Sequence, residues 1–379
     1  MDTAAVIVTY NRKALLKECI LALLGQSRSC DILVIDNHST DGTGDMVREL
    51  METEAKAEDE AVRKEPESSR LSKAEGSEHQ VQPCESADVK ATVQGIPRII
   101  YKDTGSNLGG AGGFSYGIRE AVELGYEYIW IMDDDCIPEP EALKELFAAA
   151  EKLEKENAKA SVKSRAKADH RIRPEVKANR TEGTKAAKPK EAYGFLASKV
   201  LWTDGSICRT NVQRYPMARR VKDFESELVR VNYSSFVSMF FKSSIVRELG
   251  LPIKEFFIWS DDLEYTRRIS MKYPCWLCNR SVVVHKCKGN YGINIAVELP
   301  ERVDRYKYIY RNDVYVFRKE GLKGFLYVAV RDIYHVVKVL LTAKEGKLSK
   351  IRTIIGGTLS GLSFDPKIEY VNNQDGRQI

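Results

Sequence analysis

The chain has 379 residues, 43% hydrophobic and 30% charged, with a formal net charge of +5. That length admits one large α/β domain with appendages, or two domains. The mild basic excess would suit an anionic substrate or membrane surface and gives no argument for nucleic acid.

No run of eighteen or more apolar residues occurs, so no transmembrane helix is expected. The first apolar run leads straight into Asn11-Arg12-Lys13 and lacks the parts of a secretory signal. The eight scattered cysteines are then expected to be reduced thiols in a cytoplasmic protein.

The pattern opens with a strand over 4–9. A helix follows, with Leu15, Leu16, Ile20, Leu23 and Leu24 on one face. The apolar run 32–35 sits between Asp31 and Asp36, and polar 37–43 leads into a helix around 45–50. This strand–helix alternation implies a parallel sheet. Residues 51–95 interrupt it. They are rich in Glu, Lys, Ser and Ala, and 51–100 contains no aromatic residue, so this insertion buries little to offset its ordering entropy. Next come a strand over 98–101, a glycine-rich loop over 107–113, a helix over 114–124 and a buried strand over 128–132. A helix over 139–153 opens with Pro138 and Pro140. A second charged, solvated insertion spans about 151–192. Short strand patterns at 193–200 and 234–241, a helix at 243–249 and a strand-like run at 256–259 precede a mostly helical region from about 302.

Three motifs carry chemistry. Trp130-Ile131-Met132-Asp133-Asp134-Asp135 is an apolar strand ending in consecutive carboxylates. It places them at the carboxyl edge of the sheet, where open α/β folds bind ligands. Crowded carboxylates repel and call for a cation, and a hard divalent ion suits their oxygens. Asp133 and Asp135 share one side of an extended chain, which favours them as the pair at the metal. The alternative is a solvated acidic turn. Phe257-Ile258-Trp259-Ser260-Asp261-Asp262-Leu263-Glu264 delivers paired acids at a helix start, either as a catalytic base or as acidic residues favoured by the helix dipole. Asn107-Leu108-Gly109-Gly110-Ala111-Gly112-Gly113 allows close backbone approach to a ligand, or makes a tight turn; it lacks the full dinucleotide fingerprint. His285 ends an apolar strand and is either structural or a metal ligand. A rival zinc site would join Cys275, Cys278, His285 and Cys287, which needs a hairpin between Cys278 and His285.

Together these residues resemble family 2 glycosyltransferases of the inverting GT-A type, over about 4–321 apart from the insertions. Val8-Thr9-Tyr10-Asn11-Arg12 and Val34-Ile35-Asp36-Asn37-His38-Ser39-Thr40-Asp41-Gly42-Thr43 look like the family's two nucleotide-binding edges. The resemblance implies a GT-A, Rossmann-like mixed sheet flanked by helices over about 1–300, and a helical region over 301–379. Thr9 and Tyr10, with Asp36 or Asn37, would contact the nucleoside. Asp133, Asp135 and the distal His285 would hold Mn2+ or Mg2+. Asp262 would be the base, with Asp261 and Glu264 orienting the acceptor. Asn107, Gly109, Gly110, Gly112, Gly113, Asp134 and Trp259 complete the expected substrate-binding set. The glycine-rich segment and Ile258-Trp259-Ser260-Asp261-Asp262-Leu263-Glu264-Tyr265 look most like bacterial galactofuranosyltransferases that use UDP-galactofuranose in surface-polysaccharide synthesis. Rhamnosyltransferases using dTDP-rhamnose share much of the pattern. The acceptor would be a glycan or a lipid-linked oligosaccharide. A non-catalytic scaffold with the same fold is the rival of another class; the intact acids at both edges weigh against it.

Residues 324–343 read as a helix with apolar Phe325, Leu326, Val328, Ile333, Val336, Val337, Leu340 and Leu341 and several basic neighbours. Such a helix either lies in a membrane interface, at the inner face of the cell membrane, or packs on the catalytic domain or a second copy of the chain.

Overall fold

The computed structural model describes residues 1–64, 97–169, 191–216 and 219–371. The strands are β1 (Thr3–Thr9), β2 (Asp31–Asp36), β3 (Ile99–Asp103), β4 (Tyr128–Asp133), β5 (Cys136–Pro138), β6 (Leu196–Trp202), β7 (Leu228–Val231), β8 (Met239–Lys242) and β9 (Cys275–His285). They form one sheet in the order β3-β2-β1-β4-β8-β6-β9-β5, with β7 paired to β9. β1 to β4 are mutually parallel, as the strand–helix alternation implies. β8 runs antiparallel to both β4 and β6, so the sheet is mixed rather than parallel throughout.

Helices cover both faces: α1 (Lys13–Leu24), α2 (Thr43–Lys64), α3 (Gly109–Glu123), α4 (Ala142–Asp169), α5 (Ser243–Leu249) and α6 (Asp261–Ser270). Successive side chains of a strand point to opposite faces. Accordingly Ala5 and Ile7 of β1 pack in one core with Leu16, Ile20 and Leu23 of α1 and Leu143 and Leu146 of α4. Ala4, Val6 and Val8 pack in the other with Phe114, Ile118 and Val122 of α3. β1 and β2 are buried along their whole length, which is why both read as unbroken apolar runs.

Several boundaries differ from the sequence pattern. α2 continues to Lys64 and α4 to Asp169, so the first stretch of each charged insertion is helical. Lys, Glu and Ala are strong helix formers. The remainder of the insertions, including 65–95 and 170–190, lies outside the described residues. α4 starts at Ala142 rather than 139, and the strands expected at 193–200 and 234–241 are displaced to β6 and β8. The glycine-rich segment is not a loop. α3 begins at Gly109, and its glycines let the helix sit against the sheet: a Cβ at Gly113 would meet Val8 Cγ1 at 2.5 Å, and one at Gly117 would meet Val6 Cγ1 at 2.6 Å. β9 runs from Cys275 to His285 without a hairpin. The thiols grouped with His285 are therefore Cys208 and Cys287, not Cys275 and Cys278.

Beyond a 3-10 helix at Pro300–Arg305, the chain forms α7 (Tyr306–Arg318), α8 (Leu322–Thr342) and α9 (Lys347–Ser363). Val314, Tyr315 and Phe317 of α7 share a core with Phe256 and with Ala111 of α3. The helical region thus packs directly behind the segment that leads into α6.

Candidate active site

In the parallel part of the sheet, Thr9 pairs with Asp36 and Val8 with Asp133, so the carboxyl ends of β1, β2 and β4 lie level. This register sets the nucleotide-edge residues beside the acidic run. Thr9 and Asp134 are buried, and the Thr9 hydroxyl donates to Asp134 at 2.7 Å. Asp36 is buried; it accepts from the Tyr101 hydroxyl at 2.7 Å and from the Ser39 amide at 2.9 Å. Asn37 is also buried. Its amide nitrogen donates to the Gly109 carbonyl, while its Oδ1 has no hydrogen-bond partner. Tyr10 is exposed.

The acidic run divides its work. Arg12, to which the sequence motifs assign no role, reaches Asp134 at 3.1 Å and Asp135 at 2.7 Å. Burial pushes the Asp134 carboxyl up to about 7. Burial and the charge of Asp135 push Asp133 up to about 6. Asp135 goes the other way: burial alone would raise it, but its bond to His285 and the charges of His285 and Arg12 hold it below the usual carboxylate range.

His285 arrives by strand pairing. β5 directly follows Asp135, and its Cys136 lies opposite His285 in β9. His285 Nε2 then meets Asp135 Oδ1 at 2.9 Å, and Nδ1 meets Asn211 Oδ1 at 2.8 Å. Asn211 is buried; its amide nitrogen is bonded to Ser235 and its oxygen also accepts from Thr210 and Cys208. An amide oxygen only accepts, so Nδ1 carries a proton and Nε2 is the nitrogen that faces the acids. Burial opposes charge on this ring, but the bond to Asp135 outweighs it and raises His285 to about 11. One ligand atom each from Asp133, Asp135 and His285 fall within 4.8 Å of one another. Two carboxylates and an imidazole fit a divalent ion of the Mn2+ or Mg2+ type, and such an ion would relieve the repulsion that raises Asp133.

The second acidic pair is not carried by a strand. After a 3-10 turn at Lys254–Phe256, Phe257, Trp259 and Ser260 all take positive φ, at 62°, 65° and 66°. Non-glycine residues are costly there and persist only where their surroundings impose the conformation. Asn312 of α7, fully buried, donates to the carbonyls of Phe256 at 3.0 Å, Ile258 at 3.2 Å and Trp259 at 2.9 Å. The Ser260 hydroxyl donates to Asp313, which Arg331 of α8 holds from the other side. Gly109 (φ 70°) fits under this turn, because a Cβ there would meet the Phe257 carbonyl at 2.1 Å, and Ala111 donates to the same carbonyl. We expect Asn312→Leu to lower unfolding stability by roughly 1–3 kcal/mol through its stranded carbonyls, read by urea denaturation. An unchanged midpoint would show that Asn312 does not hold the turn.

Asp261 and Asp262 open α6. Burial, then the charge of Asp262, raises Asp261 well above the carboxylate range, with Asp133 adding to the effect. Burial pushes Asp262 up to about 6. The Asp262 charge in turn raises Asp133, so the two acidic groups sense each other across one site. Trp259 packs on Tyr306 with ring centroids 5.2 Å apart. Asn107 Oδ1 accepts from the Gly109 amide at 2.9 Å and closes the turn that leads into α3. Gly112 lies against Leu108, and a Cβ on Gly110 would meet open space. Glu264 is buried with both oxygens taken by Arg268, which also holds the carbonyls of Leu249 and Leu251. That pair braces α6 against the segment after α5.

The galactofuranosyltransferase GlfT1 of Mycobacterium tuberculosis (strain CDC 1551 / Oshkosh) is 26% identical over 255 residues, spanning 64% of this chain and 72% of its own length. GlfT1 of Mycolicibacterium smegmatis is 24% identical over 331 residues, 85% of each chain. Among solved structures, the mannosyltransferase PcManGT from Pyrobaculum calidifontis in complex with GDP-Man and Mn2+ covers 96% of this chain and 87% of its own, with a TM-score of 0.50 at 13% identity. That likeness concerns the fold, a GT-A-type mixed sheet flanked by helices. The sequence model for glycosyl transferase family 2 matches residues 4–74 and 85–208, just over half of the chain and the whole of the edge that carries Thr9, Asp36 and Asp133 to Asp135, and the chain belongs to that family.

Proposed function

We propose that this glycosyltransferase moves galactofuranose from UDP-galactofuranose, with inversion, onto a hydroxyl of a glycan or lipid-linked oligosaccharide acceptor in bacterial surface-polysaccharide synthesis. The observation that carries the chemistry is that the Asp133–Asp135–His285 group at the sheet edge faces the Asp261–Asp262 pair at the start of α6, close enough for Asp262 to raise Asp133. The donor assignment is supported by the two GlfT1 relatives.

Asp262 takes the acceptor hydroxyl proton as that oxygen attacks the anomeric carbon and the bond to the diphosphate breaks. Asp261 accepts a hydrogen bond from the acceptor and orients it. Asp133, Asp135 and His285 would hold a divalent ion, which would supply positive charge opposite the departing diphosphate. The unpartnered Asn37 Oδ1 at the β2 edge, with Asp36, Thr9 and Tyr10 beside it, offers a buried acceptor to a nucleoside N–H or O–H. Gly110 leaves room at the start of α3 for close approach of the donor.

The test is a panel of nucleotide sugars with Mn2+ or Mg2+, scored by nucleoside diphosphate release. UDP-galactofuranose should be consumed fastest. Preferential use of dTDP-rhamnose would overturn the donor assignment, and no turnover of any donor would overturn the enzyme reading.

Asn211 is expected to orient His285 for the ion. Ring partners of metal-bound histidines are worth about 10–100-fold in metal affinity. Asn211→Leu should weaken Mn2+ binding on that scale, measured by electron paramagnetic resonance of free Mn2+, while Asn211→Asp, which keeps an acceptor at Nδ1, should restore it. Equal affinity in the Leu variant would remove Asn211 from this role.

A further inference from the structure

The helical region carries an apolar face that nothing among the described residues covers. On α8, Leu326, Val330, Ile333, Val337 and Leu341 recur every three or four residues, and all are between 45% and 79% exposed. This spacing keeps them on one stripe of the helix. The opposite stripe, through Gly324, Val328, Asp332 and Val339, is the one that packs inward. On α9, in contact with α8, Leu348, Ile355, Leu359 and Leu362 form a second exposed series. Scattered exposed apolar residues are ordinary, but two such helical series side by side mark an interaction surface.

The exposed charges near this face are predominantly basic. Over residues 322–363, Lys323, Lys344, Lys347 and Arg352 are exposed, and Glu345 is the one exposed acid. The other acid, Asp332, is buried against Arg331. Beside α9, a groove shared with α7 is lined by Lys307, Arg311 and Arg352; its one acid, Asp304, is paired with Lys307. Two copies of the chain meeting through this face would set like charges together, since an isologous contact places the same patch on both sides. Among the described residues no helix is long and apolar enough to cross a membrane. A basic amphipathic helix of this kind lies instead in the headgroup region, with its apolar stripe toward the acyl chains.

We infer that α8 and α9 form a docking surface for an anionic phospholipid bilayer, which binds the enzyme peripherally. The surface is joined to the site: Arg331 on the inward side of α8 holds Asp313, which accepts from Ser260, the residue before Asp261. Docking would therefore fix the orientation of the α6 entry relative to the membrane plane. This inference goes beyond the transferase reading and does not depend on its donor.

The test is flotation of the full chain with vesicles of phosphatidylcholine, alone or with phosphatidylglycerol, at low and high salt. The expected result is binding to the anionic vesicles at low salt, reduced about tenfold or more at high salt as the charges are screened. Ile333→Asp and Leu341→Asp should each reduce binding about tenfold or more, with thermal unfolding and nucleotide-sugar hydrolysis unchanged, because both side chains are exposed. Wild-type protein remaining with the soluble fraction at low salt would overturn the proposal. So would vesicle binding that both Asp variants retain. A third contrary outcome is a wild-type dimer in sedimentation that Ile333→Asp converts to monomer while vesicles capture neither, which would assign the face to a second copy. Absent donor turnover with intact, variant-sensitive vesicle binding would support this surface while overturning the proposed function.

Discussion

Asp262→Asn should lower the turnover rate by roughly 100-fold or more while leaving donor binding nearly unchanged, the usual scale for loss of a positioned base. The substitution keeps the size of the side chain and its place at the start of α6, and it removes only basicity. Burial already pushes the Asp262 carboxyl up to about 6. A base must be deprotonated to act, so wild-type activity should be present above that value and fall as pH drops through it. The Asn variant should lack this acid limb. Single-turnover rates and donor affinity, measured separately across about pH 5–8 to bracket that value, check both statements. Nearly full activity in Asp262→Asn would rule out the role. Greater damage from Asp261→Asn would exchange the roles of the two residues.

The second large effect is expected at the metal group. Asp133→Ala should reduce transfer about a thousandfold, because a cation that neutralises the leaving diphosphate would lower the barrier by several kcal/mol and each 1.4 kcal/mol or so is tenfold. A chelator should have the same effect on the wild type. The stability consequence has a defined sign. Burial and Asp135 raise the Asp133 carboxyl to about 6, so above that pH the fold holds this charge unfavourably. Removing it should leave stability at neutral pH unchanged or higher. Asp135→Ala differs, since it strips partners from both His285 and Arg12 and should be less stable as well as inactive. Activity of Asp133→Ala that matches the wild type and ignores chelator would remove the metal from the reaction.

Much of this molecule is legible in local pattern. An unbroken apolar run bounded by polar residues is how a strand buried on both faces must read, and β1, β2 and β4 read that way. An acidic run at the end of such a strand is disfavoured inside the apolar core, so Asp133 to Asp135 mark the sheet edge in the amino-acid pattern itself. Local pattern misplaces the glycine-rich segment. Gly113 packs against Val8 of β1 and Gly109 against the Phe257 carbonyl, and neighbouring residues do not distinguish a backbone that must approach a ligand from one that must approach another part of the chain. Residues 256–259 likewise read as strand-like, because positive φ at Phe257, Trp259 and Ser260 is imposed from outside by α7 and has no signature in those residues.

The parallel strands β1 to β4, the helices between them and the edge at which Asp133 to Asp135 emerge follow from the amino-acid order, because they rest on the spacing of apolar residues over a few turns or strand repeats. Which groups meet at that edge is a matter of long-range packing. His285 and Asp135 are 150 residues apart in sequence, Asn211 and His285 are 74 apart, and Asn312 lies 56 residues from the carbonyl of Phe256 it holds. No periodicity connects such positions. Their hydrogen bonds exist because β5 pairs with β9 and α7 packs behind the α6 entry, and those pairings depend on burying the whole apolar surface of the chain at once rather than on any one segment of it.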